Sequence, residues 1–330
     1  MKKLIGILSA IVLVLATVIS SLAFGENFIW KSSLTDLQAI TGATTEDRAV
    51  VLSSDGVATF YTHSSGAWTE MVVKGPYVDV RAYGADPTGV SDSTSAIQAA
   101  FDNITTGSEV FFPKGTYTIS GNLTITQKYS FRIRGAGGIG RATGGVKIKW
   151  AGTGSPSGVM LDLRGVYNSV IENIWFVGTS ESGPDPTVYS KTGKGTYSWR
   201  GPDDLDSSSI HFINCNWQHF TVGTQIGRAD QNENNLEEMK FYACDWDFNT
   251  VGFWNLWPNN INQVIYDTYC TYNTVAIKLG QASPSAQSGS VSLYNASFAV
   301  NGTDIYVPNA IEGNLSEIIW VDKFCIQSNC

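Results

Sequence analysis

Two aspartates separated by one tryptophan, Asp245-Trp246-Asp247, are the residues of this 330-residue chain whose type and spacing first suggest chemistry. On an extended strand, residues two apart point to the same face, about 6.6 Å from each other at ~3.3 Å per residue. That is near the lower end of the roughly 6.5–9.5 Å between the carboxyl groups of an inverting glycosidase, where one acid protonates the leaving oxygen and the other activates water. Asp204 is the reserve acid. Side chains suited to holding a sugar lie nearby in sequence: Trp199 and Arg200, then Asn216 and Gln218, then Tyr269. Aromatic faces stack on the C–H faces of sugars, and hydroxyls need polar partners. Two aspartates on an exposed strand also serve simply to solubilise it, so residue types alone leave site and surface both open.

Other chemistries have less support. A lyase would want calcium-binding acids and an arginine or lysine base beside a uronate; Asp203, Asp204, Asp206 and Arg200 are candidates at no diagnostic spacing, so calcium enters only under that reading. No other cofactor and no metal site is expected. The five cysteines (Cys215, Cys244, Cys270, Cys325, Cys330) form no CxxC pair and meet only three histidines, which argues against structural zinc. Cys215, Cys244 and Cys270 are expected to be reduced and buried, since cysteine packs as a small apolar residue. No G-x-S-x-G elbow occurs. Gly135-Ala-Gly-Gly-Ile-Gly follows a strand but opens no helix, which makes it a turn and not a dinucleotide fingerprint. A net charge of −8 with dispersed lysines and arginines argues against nucleic acid or anionic membrane as a partner.

The elements that position these residues follow from a repeat. Ile210-His-Phe-Ile-Asn-Cys-Asn-Trp lies above Met239-Lys-Phe-Tyr-Ala-Cys-Asp-Trp, then Ile265-Tyr-Asp-Thr-Tyr-Cys-Thr-Tyr, then Leu293-Tyr-Asn-Ala-Ser-Phe-Ala-Val. The shifts from 215 to 244, 268 and 296 are 29, 24 and 28 positions, a variable period in the twenties that describes stacked rungs. Alternation assigns three columns to the interior: Cys215, Cys244, Thr268, Ala296; Trp217, Trp246, Cys270, Phe298; and His219, Phe248, Tyr272, Val300. The outer face then carries Asn216, Asp245, Tyr269 and Gln218, Asp247. Asn249, Asn273 and Asn301 align as a ladder at a turn, where asparagine tolerates left-handed backbone and bonds neighbouring main chain. Ile174 aligns one rung before Cys215, and the 41-residue spacing implies a long insertion over 179–207.

Upstream, Val78-Asp-Val-Arg-Ala-Tyr-Gly-Ala-Asp-Pro-Thr-Gly-Val-Ser-Asp-Ser-Thr-Ser-Ala-Ile-Gln-Ala-Ala-Phe precedes Val110-Phe-Phe-Pro-Lys-Gly-Thr-Tyr. It reads as a strand, a Gly/Pro turn and a short helix over 93–102, capped by Asp92, Ser93 or Thr94, with Ile97, Ala100 and Phe101 as its apolar stripe. This run resembles the N-terminal signature of the pectate-lyase-like superfamily, G-D-G-x-x-D-D-T-x-A-I-Q followed by V-x-F-P-x-G-x-Y, departing from it at Ala85-Asp86-Pro87 and Asp92-Ser93. The superfamily includes rhamnogalacturonase/epimerase-like and tailspike-like proteins. The resemblance implies an all-β chain, a right-handed parallel β-helix solenoid whose first rung is covered by that helix, and structural roles for the motif's acids.

Three segments are expected. Residues 1–25 read as a signal peptide, with Lys2 and Lys3, an apolar stretch from Leu4 to about Val18, and small residues after it; the stretch is short for a membrane span. Removing both lysines would take the charge from −8 to −10. A β-rich module over 26–75, with turns at Asp55-Gly56 and Ser65-Gly66, precedes a β-helix over 76–330. The chain stops part-way through a further rung, leaving open a partner at that end or a longer sequence. The expectation is a secreted protein with a polysaccharide partner, a glycoside hydrolase or lyase using outward acids. The alternatives are a non-catalytic glycan-binding surface protein and a tailspike-like depolymerase. The polygalacturonase set Asn-Thr-Asp, Asp-Asp, Gly-His-Gly and Arg-Ile-Lys is absent as a set, so fold is better specified than activity. Oligomeric state is left open.

Overall fold

The computed structural model describes residues 28–43, 47–52, 58–64, 66–70, 77–137, 145–151, 158–178, 193–201, 205–228, 236–256, 260, 262–280, 291–307, 319–322 and 325–327. The segment read as a signal peptide lies outside them. Backbone contacts divide the chain into two compact units, before and after residues 73/74.

In the first unit, strands Phe28–Lys31, Arg48–Leu52, Ala58–Ser64 and Ala67–Glu70 form a four-stranded sheet in that order, the first pair parallel and the other two antiparallel. A five-residue helix, Leu34–Gln38, was not foreseen. Ser33 caps it by accepting a bond from the Asp36 amide (3.1 Å), and Leu37 buries itself with Ala49 and Val51.

The second unit is a right-handed parallel β-helix. Each turn of chain lays one strand on each of three parallel sheets, which hold nine, eight and seven strands among the described residues. One turn runs Ser208–Ile213 on the first sheet, Asn216–Gln218 on the second and Val222–Ile226 on the third, and Lys240–Tyr242 then returns to the first. The register is the one the repeat predicts: Phe176 pairs with Trp217, Trp217 with Trp246, Trp246 with Cys270 and Cys270 with Phe298. Strand periodicity sends these residues inward, where each is at most 1% exposed. Trp217 and Trp246 stack at 5.2 Å, their planes 10° apart. At roughly 25 cal/mol per Å² and ~150–250 Å² per ring, each tryptophan contributes about 4–6 kcal/mol of transfer free energy before entropy, which is why this column anchors the solenoid. Cys215, Cys244 and Cys270 are free and buried.

The helix, Thr94–Asp102, buries Ala96, Ile97, Ala100 and Phe101 over the first rung, where Phe101 meets Phe112 edge-on at 6.2 Å. Gln98 also satisfies the open edge of the third sheet, its amide donating to the Thr124 carbonyl (2.9 Å) and accepting from the Thr124 amide (2.8 Å). The motif's acids are structural. Asp86 accepts bonds from Thr88 and from the Ser91 amide, and Asp92 accepts from Thr94 and Ser120. Gly115 lies so close to Pro87 that a Cβ there would sit 2.4 Å from its carbonyl oxygen, so the P-x-G turn admits no side chain.

Three expectations need correction. The column His219, Phe248, Tyr272, Val300 is not an interior column throughout: each residue has φ between 55° and 64°, which breaks the alternation, and burial falls from His219, 4% exposed, to Val300, 44% exposed. The left-handed residue at that turn therefore precedes the asparagine. The 179–207 stretch is not a single insertion, because Lys194–Trp199 within it is a full strand of the third sheet. Among the described residues, no helix is long and apolar enough to cross a membrane.

Candidate functional site

The residues expected to form one site fall on two sheets. Asn216, Gln218, Asp245, Asp247 and Tyr269 do lie on the outer face of the second sheet, with Asn216, Asp245 and Tyr269 in one row and Gln218 and Asp247 in the next. Trp199 ends a third-sheet strand, and Arg200 follows it in the turn, its guanidinium 3.5 Å from Asp206. Asp204 lies outside the described residues, as does Asp203.

The aspartate pair is not an exposed pair of acids. Asp247 points away from the core yet is fully buried; one oxygen accepts from the Asn216 amide (2.9 Å) and the other from the Thr271 hydroxyl. A carboxylate with both oxygens engaged across three rungs ties the sheet together and has no route to a substrate oxygen. Asp245 is half-buried, accepts a bond from the Tyr269 amide (3.2 Å) and shares its row with Tyr269, which is 40% exposed.

Just before this row, on the far side of a tight turn, lies a feature that the alignment contained and alternation left unread. Tyr242, Tyr266 and Tyr294 pair in register on the outer face of the first sheet. Their ring centroids are 6.3 and 6.2 Å apart, and Tyr266 is 48% exposed. Their spacing of 24 and 28 positions equals the later rung shifts, so the signal was present. His211 touches Tyr242 edge-on at 6.2 Å; burial and the neighbouring Lys240 hold its imidazole below the usual histidine range, which favours the neutral ring. The intervening turn carries the exposed Asp267 and Asn295, joined by a 2.7 Å bond from the Asn295 amide. Tyrosine faces, a neutral imidazole, Asp267 and Asp245 thus run round one corner of the solenoid.

The third sheet carries a second constellation. The indole of Trp199 donates to Asp162 (2.6 Å), and Asp162 also receives the Arg164 guanidinium (2.9 and 2.5 Å). Arg164 and Arg228 both lie over the Trp199 ring, at 5.1 and 4.5 Å. Trp199 is therefore fixed in place by its neighbours and not a mobile loop residue. Among the described residues, no group of three or more His, Cys, Asp or Glu is placed to hold a metal ion.

Comparison with known proteins follows this geometry. Residues 77–177 match the family model of rhamnogalacturonase A/epimerase, pectate lyase-like. No curated protein matches the chain. Among solved structures, the chain is similar to the Agl-KA catalytic domain (TM-score 0.55, 14% identity, covering 78% of this chain and 48% of that one). It is also similar to the catalytic unit of a GH87 α-1,3-glucanase from Streptomyces thermodiastaticus (TM-score 0.52, 18% identity, covering 78% and 41%). The chain thus spans less than half the length of either. Residues 77–177 thus match the pectate-lyase-like family model, and the parallel β-helix that continues beyond them has the fold of these two solved structures.

Proposed function

We propose that the chain is an exported polysaccharide-binding β-helix protein that holds a glycan along Tyr242, Tyr266 and Tyr294. The in-register tyrosine ladder carries this reading: three aromatic faces repeat once per rung on an open sheet, with hydroxyls, Asp267 and Asn295 at hand for sugar hydroxyls. Support for a glycan also comes from the family segment and from the α-1,3-glucanase with the same fold. Support for export is the leader-like grammar of residues 1–25.

A second reading, glycan cleavage, is favoured by one observation: Asp245 remains partly open beside the exposed Tyr269. The burial of Asp247 removes the two-acid arrangement from the same strand, so binding is the better supported function.

A polysaccharide panel read for binding, reducing-end release and absorbance near 235 nm tests both readings; the wavelength marks the unsaturated product of a lyase. Tyr266→Ala should weaken binding about 3- to 10-fold, the worth of one aromatic contact. Unchanged binding by that variant would overturn the ladder reading. Any turnover found should vanish in Asp245→Asn while binding persists.

A further inference from the structure

The outer row of the third sheet runs Asp162, Tyr197, Gln225, Trp254, Lys278 across successive rungs. Near one end, the Lys194 ammonium lies 4.1 Å from the centre of the Tyr197 ring; at the other, the Lys278 ammonium lies 3.9 Å from that of Trp254. Among the described residues, no carboxylate forms an ion pair with either lysine. Both are partly withdrawn from water, and burial holds both below the usual lysine range, so each has lost hydration that no anion replaces. Asp162 offsets this only at Lys194 and only at a distance, because its oxygens are already bonded to Trp199 and Arg164.

Gln225 sits between the two aromatic rings and is 4% exposed. Its amide nitrogen donates to the Gly227 carbonyl (2.9 Å), while its side-chain oxygen is buried with no hydrogen-bond partner. A buried acceptor without a donor costs about 1–3 kcal/mol. A ligand that brings a hydroxyl to Gln225 and anionic groups to the flanking lysines would satisfy all three at once.

We propose that the outer face of the third sheet, from Lys194 to Lys278, binds a glycan segment carrying carboxylate or sulfate groups, with Gln225 accepting one of its hydroxyls. The backbones of the two lysines are three rungs apart, about 14 Å along the axis at about 4.8 Å per rung, and three positions apart along the strands, which suits a short oligosaccharide lying obliquely across the rungs. The assignment rests on the glycan-binding reading above, but uses a different face from the tyrosine ladder.

Calorimetric titration with oligogalacturonate, dextran sulfate and neutral dextran tests it. At least one acidic probe should bind with an affinity that falls as salt rises. Whether the carboxylate or the sulfate probe binds identifies the anionic group. Lys194→Gln and Lys278→Gln should each weaken that binding about tenfold or more, and Gln225→Leu should weaken it as well, while Tyr266→Ala leaves it unchanged. If the double lysine variant, folded by circular dichroism, binds the acidic probes as the parent does, the proposal fails. Should Tyr266→Ala then abolish binding, the tyrosine reading stands alone. Binding of neither acidic probe by the parent protein would also overturn the proposal, and leaves the tyrosine reading to its own polysaccharide panel.

Discussion

Asp247 and Asp245 are two residues apart on one strand, face the same way and experience different environments. The first is fully buried with Asn216 and Thr271 donating to its two oxygens, and the second remains partly open. Replacing the carboxylate with an amide removes the negative charge that strengthens both Asp247 contacts and forces the Thr271 hydroxyl to turn round and accept. Asp247→Asn should therefore cost about 1–3 kcal/mol by denaturant titration, whereas Asp245→Asn should stay within about 0.5 kcal/mol of the parent. Equal midpoints for the two variants would show that the ladder of Asn216, Asp247 and Thr271 is not formed in solution. Asp86 gives a prediction in pH. The Thr88 side chain and the amides of Ser91 and Thr88 bond its carboxylate and lower its pKa from 3.8 to about 2. A depressed carboxyl stabilises the folded state fully above its unfolded value and ceases to as pH falls through its folded value. The Asp86 contribution to the cap should thus be complete above about pH 4 and lost toward pH 2. An NMR titration of its carboxyl carbon checks this, and a midpoint at the ordinary value would contradict the observed bonding.

Within a turn, the asparagine ladder links three rungs through both side-chain ends. Asn249 donates to the Asn273 oxygen and Asn273 to that of Asn301, each at 3.1 Å. The same oxygens accept from the backbone amides of Asn249 (3.0 Å) and Asn273 (2.9 Å), and Asn273 also donates to the Trp246 carbonyl (2.7 Å). Asn273→Leu would strand these buried groups and should destabilise the unit by on the order of 1–3 kcal/mol; an unchanged melting curve would contradict it. A second turn column, Asn173, Asn214, Ala243, Asp267, Asn295, has φ between 49° and 58°. Glycines mark the start of the third sheet. Gly195, Gly223 and Gly252 face the tryptophan stack, and a Cβ on Gly223 would fall 2.8 Å from the Trp246 ring. Their spacing of 28 and 29 positions follows the rungs.

At the scale of the whole β-helix, each rung contacts only its neighbours, so stability is a sum of rung and interface terms and not a single central core. The two neighbouring rungs whose tryptophans stack on each other should open last. Amide exchange is expected to be slowest in Asn216–Gln218 and Asp245–Asp247, around Trp217 and Trp246. It should be faster in Thr303–Tyr306, none of whose residues is buried. Uniform protection along the solenoid would indicate global unfolding as the only route to exchange and would contradict this quasi-linear picture. Two faces of this unit carry the proposed ligand surfaces, because its interior is filled by side chains and a polymer can lie only outside.

The sequence by itself determined the solenoid, its register and its cap. Trp217 over Trp246 and Cys215 over Cys244 repeat with the period of the rungs, and the interior admits few substitutes for residues packed in such columns. Alternation likewise assigned Asn216, Asp245 and Asp247 to the outer face. It failed where φ turned positive at Phe248, Tyr272 and Val300, since a left-handed residue ends the period of two. Only the tertiary structure decided which outward residues meet solvent. Strand periodicity separates inside from outside, but exposure depends on what lies over a residue, and that is set by chain distant in sequence. For this reason Asp247 is buried while Asp245 is not, Trp199 lies on the third sheet away from both, and Gln225 points outward yet is covered.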